Sequence, residues 1–216
     1  MSKSTFRDWT LTKLDRRFGL RQILTHTVLE EWLNGSADIS DFEKTVLLLL
    51  KERAALHIDY WNEQEYSLNV IGQVLFLADF TGENFNAFAG RYVSGKVDEE
   101  ELSGNPDGLI ASGRREPEIP YFCLQEYKKE RDPQGDPAGQ CLSAMLVAQV
   151  LNENLRPVYG CYVQGRNWFF MILYGREYAI SNSYTVTHDQ IFDIFRILKV
   201  LKQIIIDIAE QKNAEE

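Results

Sequence analysis

Two carboxylates and one lysine stand at the ends of two apolar segments. Asp107 comes just before the apolar residues 109–111, and Glu126 and Lys128 close the segment 121–128. Residues two positions apart on a strand point to the same face, so Glu126 and Lys128 are expected side by side. Charged groups on a buried strand are costly unless something pairs with them. A divalent cation would be a suitable partner.

The strand that carries Glu126 and Lys128 is expected at the centre of a sheet. Its side chains alternate between two faces, with Phe122, Leu124, Glu126 and Lys128 on one and Tyr121, Cys123, Gln125 and Tyr127 on the other. Both faces begin apolar, which is typical of a strand covered on both sides. Antiparallel pairing with a strand at 108–112 would bring Asp107 beside Glu126. Taken alone, residues 105–108 are also a good β-turn sequence.

Hydrophobic periodicity and capping residues predict the elements around this strand. Helices are predicted at about 11–33 with an interruption near Gly19, from the capping box at Ser40 to Asp59, at 62–79, from Asp136-Pro137 to about 151, and from about 188 onwards. Strands are predicted within 85–102 and at 108–112, 121–128, 157–163, 168–174 and 177–181. The helix between 121–128 and 157–163 makes those two strands parallel. The sequence therefore predicts an α/β protein with a mixed sheet, of the α+β type.

Two of the predicted helices carry a polar residue on an apolar stripe. Gln140 begins a stripe of small residues, which continues with Ser143, Ala144, Val147, Ala148 and Leu151. A helix packs its apolar stripe on the sheet, so Gln140 is expected to face inward near Glu126 and Lys128. Glu65 shares a stripe with Leu68, Gly72 and Leu75, and Glu63 is its rival. The alternatives are that Gln140 caps an edge of the sheet and that Glu65 is a partly exposed surface acid.

Pro106-Asp107, the apolar strand after it, and Glu126-Tyr127-Lys128 together resemble the PD-(D/E)XK nuclease superfamily. The resemblance covers residues 62–163 and implies a restriction-endonuclease-like core of helix, three-stranded meander, helix and strand. It leaves 1–60 as a helical extension and 164–216 as a β-meander with a long final helix, all in one domain. Each motif is common by chance, so their joint occurrence carries the resemblance.

The resemblance also implies the chemistry of the site. Asp107, Glu126 and the main-chain carbonyl of Tyr127 would hold Mg²⁺, with Mn²⁺ as a substitute, since hard cations prefer oxygen ligands. Lys128 would orient or activate the water that attacks a phosphodiester. Gln140 and Glu65 would contact the same catalytic centre. The implied substrate is nucleic acid, with DNA expected first.

Charge and composition limit these expectations. The chain has 216 residues, 44% of them hydrophobic, and a net charge of -9, which makes it a poor general binder of duplex DNA. Residues 3–21 are nevertheless locally basic. The three cysteines show no CxxC spacing, and the sequence lacks both an apolar run of about 18 residues and an apolar signal core. We therefore expect a cytoplasmic protein with no membrane partner.

Two further interpretations stay open. The chain could keep the nuclease fold without cutting and serve as a binding or interaction protein, because a fold does not fix a function. Alternatively, Asp107 and Lys128 could form a buried structural ion pair. The sequence also leaves open the oligomeric state, a homodimer included, and the choice between DNA and RNA.

Overall fold

The computed structural model describes residues 2–129 and 135–215. Its helices are α1 Leu11–Phe18, α2 Thr27–Asn34, α3 Asp41–His57, α4 Glu63–Tyr66, α5 Gly72–Ala78, α6 Pro137–Leu151 and α7 Gln190–Glu215. Its strands are β1 Ser2–Thr5, β2 Arg21–Gln22, β3 Asn86–Ala89, β4 Val93–Val97, β5 Glu100–Gly104, β6 Gly108–Ser112, β7 Glu118–Lys128, β8 Val158–Gln164, β9 Asn167–Tyr174, β10 Glu177–Ile180 and β11 Tyr184–Thr185.

A large mixed sheet runs through the molecule in the order β2-β10-β9-β8-β7-β6-β3, with β11 beside β9. β3, β6 and β7 are antiparallel neighbours, and so are β8, β9 and β10. β7 and β8 are parallel, and α6 provides the long connection that parallel neighbours require. The predicted α+β class with a mixed sheet is confirmed. The predicted parallel relation of the strands on either side of α6 is also confirmed.

The segment predicted to contain the first strand, 85–102, is divided between two sheets. β3 lies beside β6 in the large sheet, whereas β4 and β5 form a hairpin that belongs to a small sheet of order β1-β5-β4. The hairpin turns at Asp98, whose φ of 52° is in the left-handed region. The prediction of a single strand here is wrong, because alternation indicates a strand without saying which sheet it joins. β1 runs parallel to β5 and brings the amino-terminal segment alongside it.

The large sheet is covered on both faces. One face packs against α2, α3, α5 and α7, with Trp32, Val74 and Leu198 among the buried side chains. The other packs against α6, and α6 in turn contacts β4, β5 and α1. Every residue of α6 from Ala138 to Gln149 is buried. The predicted stripe is buried from Gln140 to Ala148, and the other side chains in this part of α6 are buried as well, because the helix lies between the two sheets.

The strand β7 contains a bulge that the alternating pattern did not indicate. Ile110 of β6 lies opposite Cys123, but the next residue, Ala111, lies opposite Tyr121. The extra residue is Phe122, which packs in the same core as Cys123 and away from Leu124. Its predicted face is thus wrong. Alternation is regular after the bulge, so Glu126 and Lys128 keep their common face.

The helices before the sheet follow their capping signals. Gly19, at a φ of 61°, ends α1, so the interruption predicted within 11–33 is confirmed. Leu24, which falls inside the helix predicted at 11–33, lies instead between α1 and α2 and is 97% exposed. Ser40 forms the predicted capping box with Glu43 and starts α3.

The helix predicted at 62–79 contains a π turn. α4 and α5 are joined by the π-helical residues 67–71, which insert one extra residue into the helix. The side chains that this helical segment buries are Tyr66, Val70, Ile71, Val74 and Ala78.

No helix in the described parts of the chain has both the length and the apolar character that crossing a membrane requires.

Candidate active site

The carboxyl end of β7 holds a buried ion pair. The Nζ of Lys128 lies 2.9 Å from Oε1 of Glu126, and both side chains are almost out of solvent, at 12% and 9% exposure. Lys128 also lies 3.7 Å from Oε1 of Glu63, at the start of α4. The lysine therefore stands between an acid of its own strand and an acid of the helix that precedes the sheet.

Asp107 reaches the same end of β7 from the neighbouring strand. Pairing between β6 and β7 ends at Gly108 and Gln125. Beyond that pair, Oδ2 of Asp107 accepts a hydrogen bond of 2.7 Å from the main-chain N-H of Tyr127. The side chain of Asp107 thus continues the hydrogen bonding between the strands, which fixes its carboxylate beside the Glu126 strand end.

Gly108 is required by the packing beneath Asp107. The hydroxyl of Tyr127 donates a hydrogen bond to Oε1 of Gln125, and both groups lie against Gly108. A Cβ at this position would lie 2.5 Å from Oε1 of Gln125 and 2.9 Å from the Tyr127 hydroxyl, so a larger residue would displace that pair. The glycine keeps β6 close to β7 at the point where Asp107 is positioned.

Asp107 and Glu126 line one cavity, which we call the carboxylate cavity. Its volume is about 440 Å³, and Thr5, Arg7 and Gln140 also contribute to its wall. The three residues on which the sequence prediction depends therefore lie at one end of the sheet, because Lys128 is bound to Glu126. Asp107 and Glu126 thus lie at the same end of the sheet, and Lys128 contacts Glu126 instead of pointing into solvent.

Burial shifts Asp107 and Glu126 toward their neutral forms, and the charge of Asp107 adds to the shift of Glu126. Burial, followed by the charge of Asp107, raises the pKa of Glu126 to about 7. Burial also raises the pKa of Asp107, although the Tyr127 N-H and the charges of Lys128 and Arg7 oppose this rise. Burial alone would lower the pKa of Lys128, but Glu126, with Glu63 and Asp107, outweighs it and the net shift is upward. Lys128 is therefore a fixed positive charge near neutral pH.

Gln140 lies where the sequence placed it. It is 3% exposed, in the first turn of α6, and its side chain borders the carboxylate cavity. A Cβ at Gly135 would lie 2.8 Å from Nε2 of Gln140 and 3.9 Å from Cε of Lys128, so these two side chains flank the same glycine. Asp136 fixes this helix start by accepting a hydrogen bond from the N-H of Gly139.

Glu65 does not reach this cluster, and the prediction that it faces the sheet is wrong. Glu65 is exposed and accepts a hydrogen bond from the N-H of Asn62, whose side chain accepts one from the N-H of Glu65. This reciprocal pair is a capping box, and it holds the carboxylate at the outer end of α4. Glu63, the rival position, is the acid of this helix that approaches Lys128.

Arg7 is a residue of the cavity that the site prediction missed. It lies on a 3₁₀ turn, Phe6–Asp8, between β1 and α1. Its charge acts on both Asp107 and Glu126, although it is about 100 residues away from them in sequence. The locally basic segment 3–21 was the available signal, but the sequence did not indicate that β1 would pair with β5 and bring it here.

The ligand set fits a hard cation that keeps water in its coordination sphere. Within residues 2–129 and 135–215, no three or more His, Cys, Asp or Glu side chains are grouped closely enough to hold a metal ion. Asp107 and Glu126 supply two carboxylates on one cavity, and Tyr127 adds main-chain atoms beside them. Mg²⁺ is commonly held by one or two carboxylates with water completing its octahedron. The charge of such a cation would also relieve the repulsion that raises the pKa of Glu126.

No family model and no curated protein matches this chain. The site therefore has to be interpreted from its own geometry.

Proposed function

We propose that this protein is a metal-dependent nuclease of the PD-(D/E)XK type that hydrolyses phosphodiester bonds, with DNA as the first substrate to test. The observation that carries the proposal is the shared cavity of Asp107 and Glu126, with Lys128 bound to Glu126. The order of elements in the large sheet supports it, since α4–α5, the antiparallel β3, β6 and β7, then α6 and the parallel β8 come in the order of the resembled core, with the β4–β5 hairpin inserted between β3 and β6. A cytoplasmic location is part of the proposal, because Cys123, Cys141 and Cys161 are unpaired.

In the proposed reaction, Asp107, Glu126 and the Tyr127 carbonyl would hold Mg²⁺ or Mn²⁺. The cation, when bound, supplies a polarised water and neutralises charge that develops on the phosphate. Lys128 orients the attacking water through Nζ and offsets negative charge as the phosphorus gains a ligand. Glu63 positions Lys128 from the other side. Gln140, whose buried amide lies in the first turn of α6, orients groups that enter the carboxylate cavity.

A second candidate function is a binding or interaction protein that keeps this fold without cutting. The specific observation in its favour is that Lys128 and Glu126 already satisfy each other at 2.9 Å. A buried ion pair of this kind can be purely structural. It differs from the Asp107–Lys128 pair that the sequence left open as an alternative, because Oδ2 of Asp107 accepts a hydrogen bond from the Tyr127 main chain.

The test is cleavage of plasmid DNA, single-stranded DNA and RNA in Mg²⁺, Mn²⁺ or EDTA. Asp107→Asn keeps an oxygen that can accept from Tyr127 but removes the charge, while Glu126→Gln and Lys128→Met remove the other two charges with little change in shape. Each is expected to lower cleavage by about 10²–10⁴-fold. Glu99→Gln and Lys96→Met, which separate an exposed ion pair on the small sheet, are the matched controls and should cleave normally.

Calorimetric titration with Mg²⁺ and Mn²⁺ separates the two candidate functions. Binding that Asp107→Asn and Glu126→Gln both abolish supports the nuclease. The nuclease proposal fails if no substrate is cut with either cation and the wild-type protein takes up neither ion, and the interaction protein is then favoured.

A further inference from the structure

A second cavity adjoins the carboxylate cavity at Asp107. We call it the helix cavity; its volume is about 700 Å³, and it is lined by α4, the π turn and α5 together with Asp107 and Tyr127. Asp107 also belongs to the wall of the carboxylate cavity. Asp107, beside the end of β6, therefore lines both cavities, and we call the two cavities together the groove.

Arg7 brings a positive charge to the carboxylate cavity without a direct hydrogen-bonding partner for its side chain among the residues that the structure describes. It is exposed and forms no hydrogen bond or ion pair with any residue in the described parts of the chain. Its backbone is nevertheless held in place on both sides. Phe6 is buried against Gly104, and the N-H of Leu11 donates a hydrogen bond of 2.9 Å to Oδ2 of Asp136. An arginine on an anchored backbone, whose guanidinium is free of other partners, is well suited to bind a phosphate.

Large apolar side chains stand exposed in the helix cavity. Phe76 is 82% exposed and Leu68 is 70% exposed, and both line this cavity. The same helix buries Val70 and Val74 in the core, and its Leu75 and Leu77 are partly buried against that core. An exposed ring beside a polar groove is a platform on which an unpaired nucleobase can stack.

We infer that the groove binds a single-stranded polynucleotide, with a phosphate on Arg7 in the carboxylate cavity and a base against Phe76 in the helix cavity. This inference rests on the proposed function, since it names the substrate class of the same site. A backbone that runs from one cavity to the other crosses Asp107.

The same features disfavour a duplex. The bases of a duplex are stacked on each other, so their faces are not free to contact Phe76. Duplex binding also draws most of its affinity from many contacts of Lys and Arg with phosphates, whereas this chain has a net charge of -9. Arg7 beside the acids and the exposed ring of Phe76 are enough to hold a single strand, which needs few points of contact.

The test is binding of a fluorescent single strand of about 12 nucleotides, measured by anisotropy in Ca²⁺ or EDTA, alongside the duplex of the same sequence. Arg7→Ala should weaken single-strand binding and reduce the slope of log K against log salt by about 0.7. Phe76→Ala should raise Kd by about five- to a hundredfold. Arg7→Lys should restore part of the loss, because it keeps the charge. Arg16→Ala and Phe42→Ala are matched controls, since both residues are exposed and neither lines these cavities.

Cleavage in Mg²⁺, measured on the same variants, distinguishes this inference from the proposed function. Binding that depends on Arg7 and Phe76 without any cleavage supports the inference and refutes the nuclease. If Arg7→Ala and Phe76→Ala cleave as fast as the control variants Arg16→Ala and Phe42→Ala, the nuclease is supported and the inference is refuted. Preference for the duplex also refutes the inference, and absence of both binding and cleavage refutes both proposals.

Discussion

At the scale of single residues, Glu126 experiences opposing electrostatic effects. Burial and Asp107 disfavour its charge, and Lys128 favours it. The outcome is a pKa of about 7, compared with an ordinary value of 4.5. A carboxyl group in this state binds a proton more tightly in the folded protein than in the unfolded chain. Its ionisation is therefore linked to stability.

We predict that the folded protein loses stability as the pH rises from about 4.5 to about 7 in the presence of a chelator. A raised pKa contributes stability that is complete below the unfolded value and is lost as the pH passes the folded value. The loss should reach about 3 kcal/mol at most. Lys128 stays charged throughout, because its pKa is raised from 10.5. Urea unfolding across this pH range measures the effect.

The comparison for this prediction is with two variants. Glu126→Gln cannot ionise at the site, so its stability should change less with pH than that of the wild type. Glu99→Gln, on the exposed turn between β4 and β5, should follow the wild type. Parallel pH dependence in the wild type and Glu126→Gln would show that Glu126 is not the linked group.

The grouping of Asp107, Glu126 and Lys128 could be predicted from the sequence because it depends on short-range rules. Alternation places Glu126 and Lys128 together, and antiparallel pairing of adjacent strands brings in Asp107. Glu65 shows the limit of an apolar stripe as a signal. Asn62 and Glu65 have the spacing of a capping box, and that local signal indicated the true position of the carboxylate.

At the scale of elements, Asp136 connects α6 to the amino-terminal segment. One of its oxygens caps the helix through Gly139, and the other accepts from the N-H of Leu11. The contact between these segments is close, since a Cβ at Gly139 would lie 2.6 Å from Cα of Thr10. The same carboxylate therefore anchors the segment that carries Arg7.

We predict that Asp136→Ala lowers the free energy of unfolding by about 1–2 kcal/mol and also weakens binding of a single strand. The first effect is the loss of a helix cap, and the second follows because the backbone near Arg7 loses an anchor. Ser40→Ala removes the cap of α3, which has no part in the site, and serves as the control. It should lose similar stability with unchanged binding; equal binding by both variants would contradict the proposed anchoring. Denaturant unfolding and anisotropy give the two quantities.

The sequence did not predict the elements that depend on partners far away along the chain. The hairpin β4–β5 alternates as any strand does, but only the folded chain shows that its partner is β1. The bulge at Phe122 and the π turn at 67–71 each insert one residue, and a periodic pattern gives no warning of such an insertion. In contrast, α3 was predicted from its first residue because its cap lies within the sequence itself.

At the scale of the whole molecule, the placement of α6 decides whether the chain behaves as one domain. Both sheets pack against this helix, and it has no solvent-exposed side between Ala138 and Gln149. The single domain expected from the sequence stays a prediction that unfolding can test. Trp9 lies in the core that contains α6, and Trp32 and Trp168 lie in the core across the sheet, so the two cores carry separate fluorescent reporters.

We predict one denaturant transition, with the same midpoint by far-ultraviolet circular dichroism and by fluorescence of the wild type and of Trp9→Phe. Coincident probes are the mark of a two-state change. Two separated midpoints would instead show that the cores melt independently.

A helix enclosed by two sheets has a consequence for how this protein tolerates change. The small sheet and one face of the large sheet are left uncovered if α6 unfolds, so cooperativity should extend across both sheets. Unfolding of either sheet would then remove the whole groove and not only one of its two cavities.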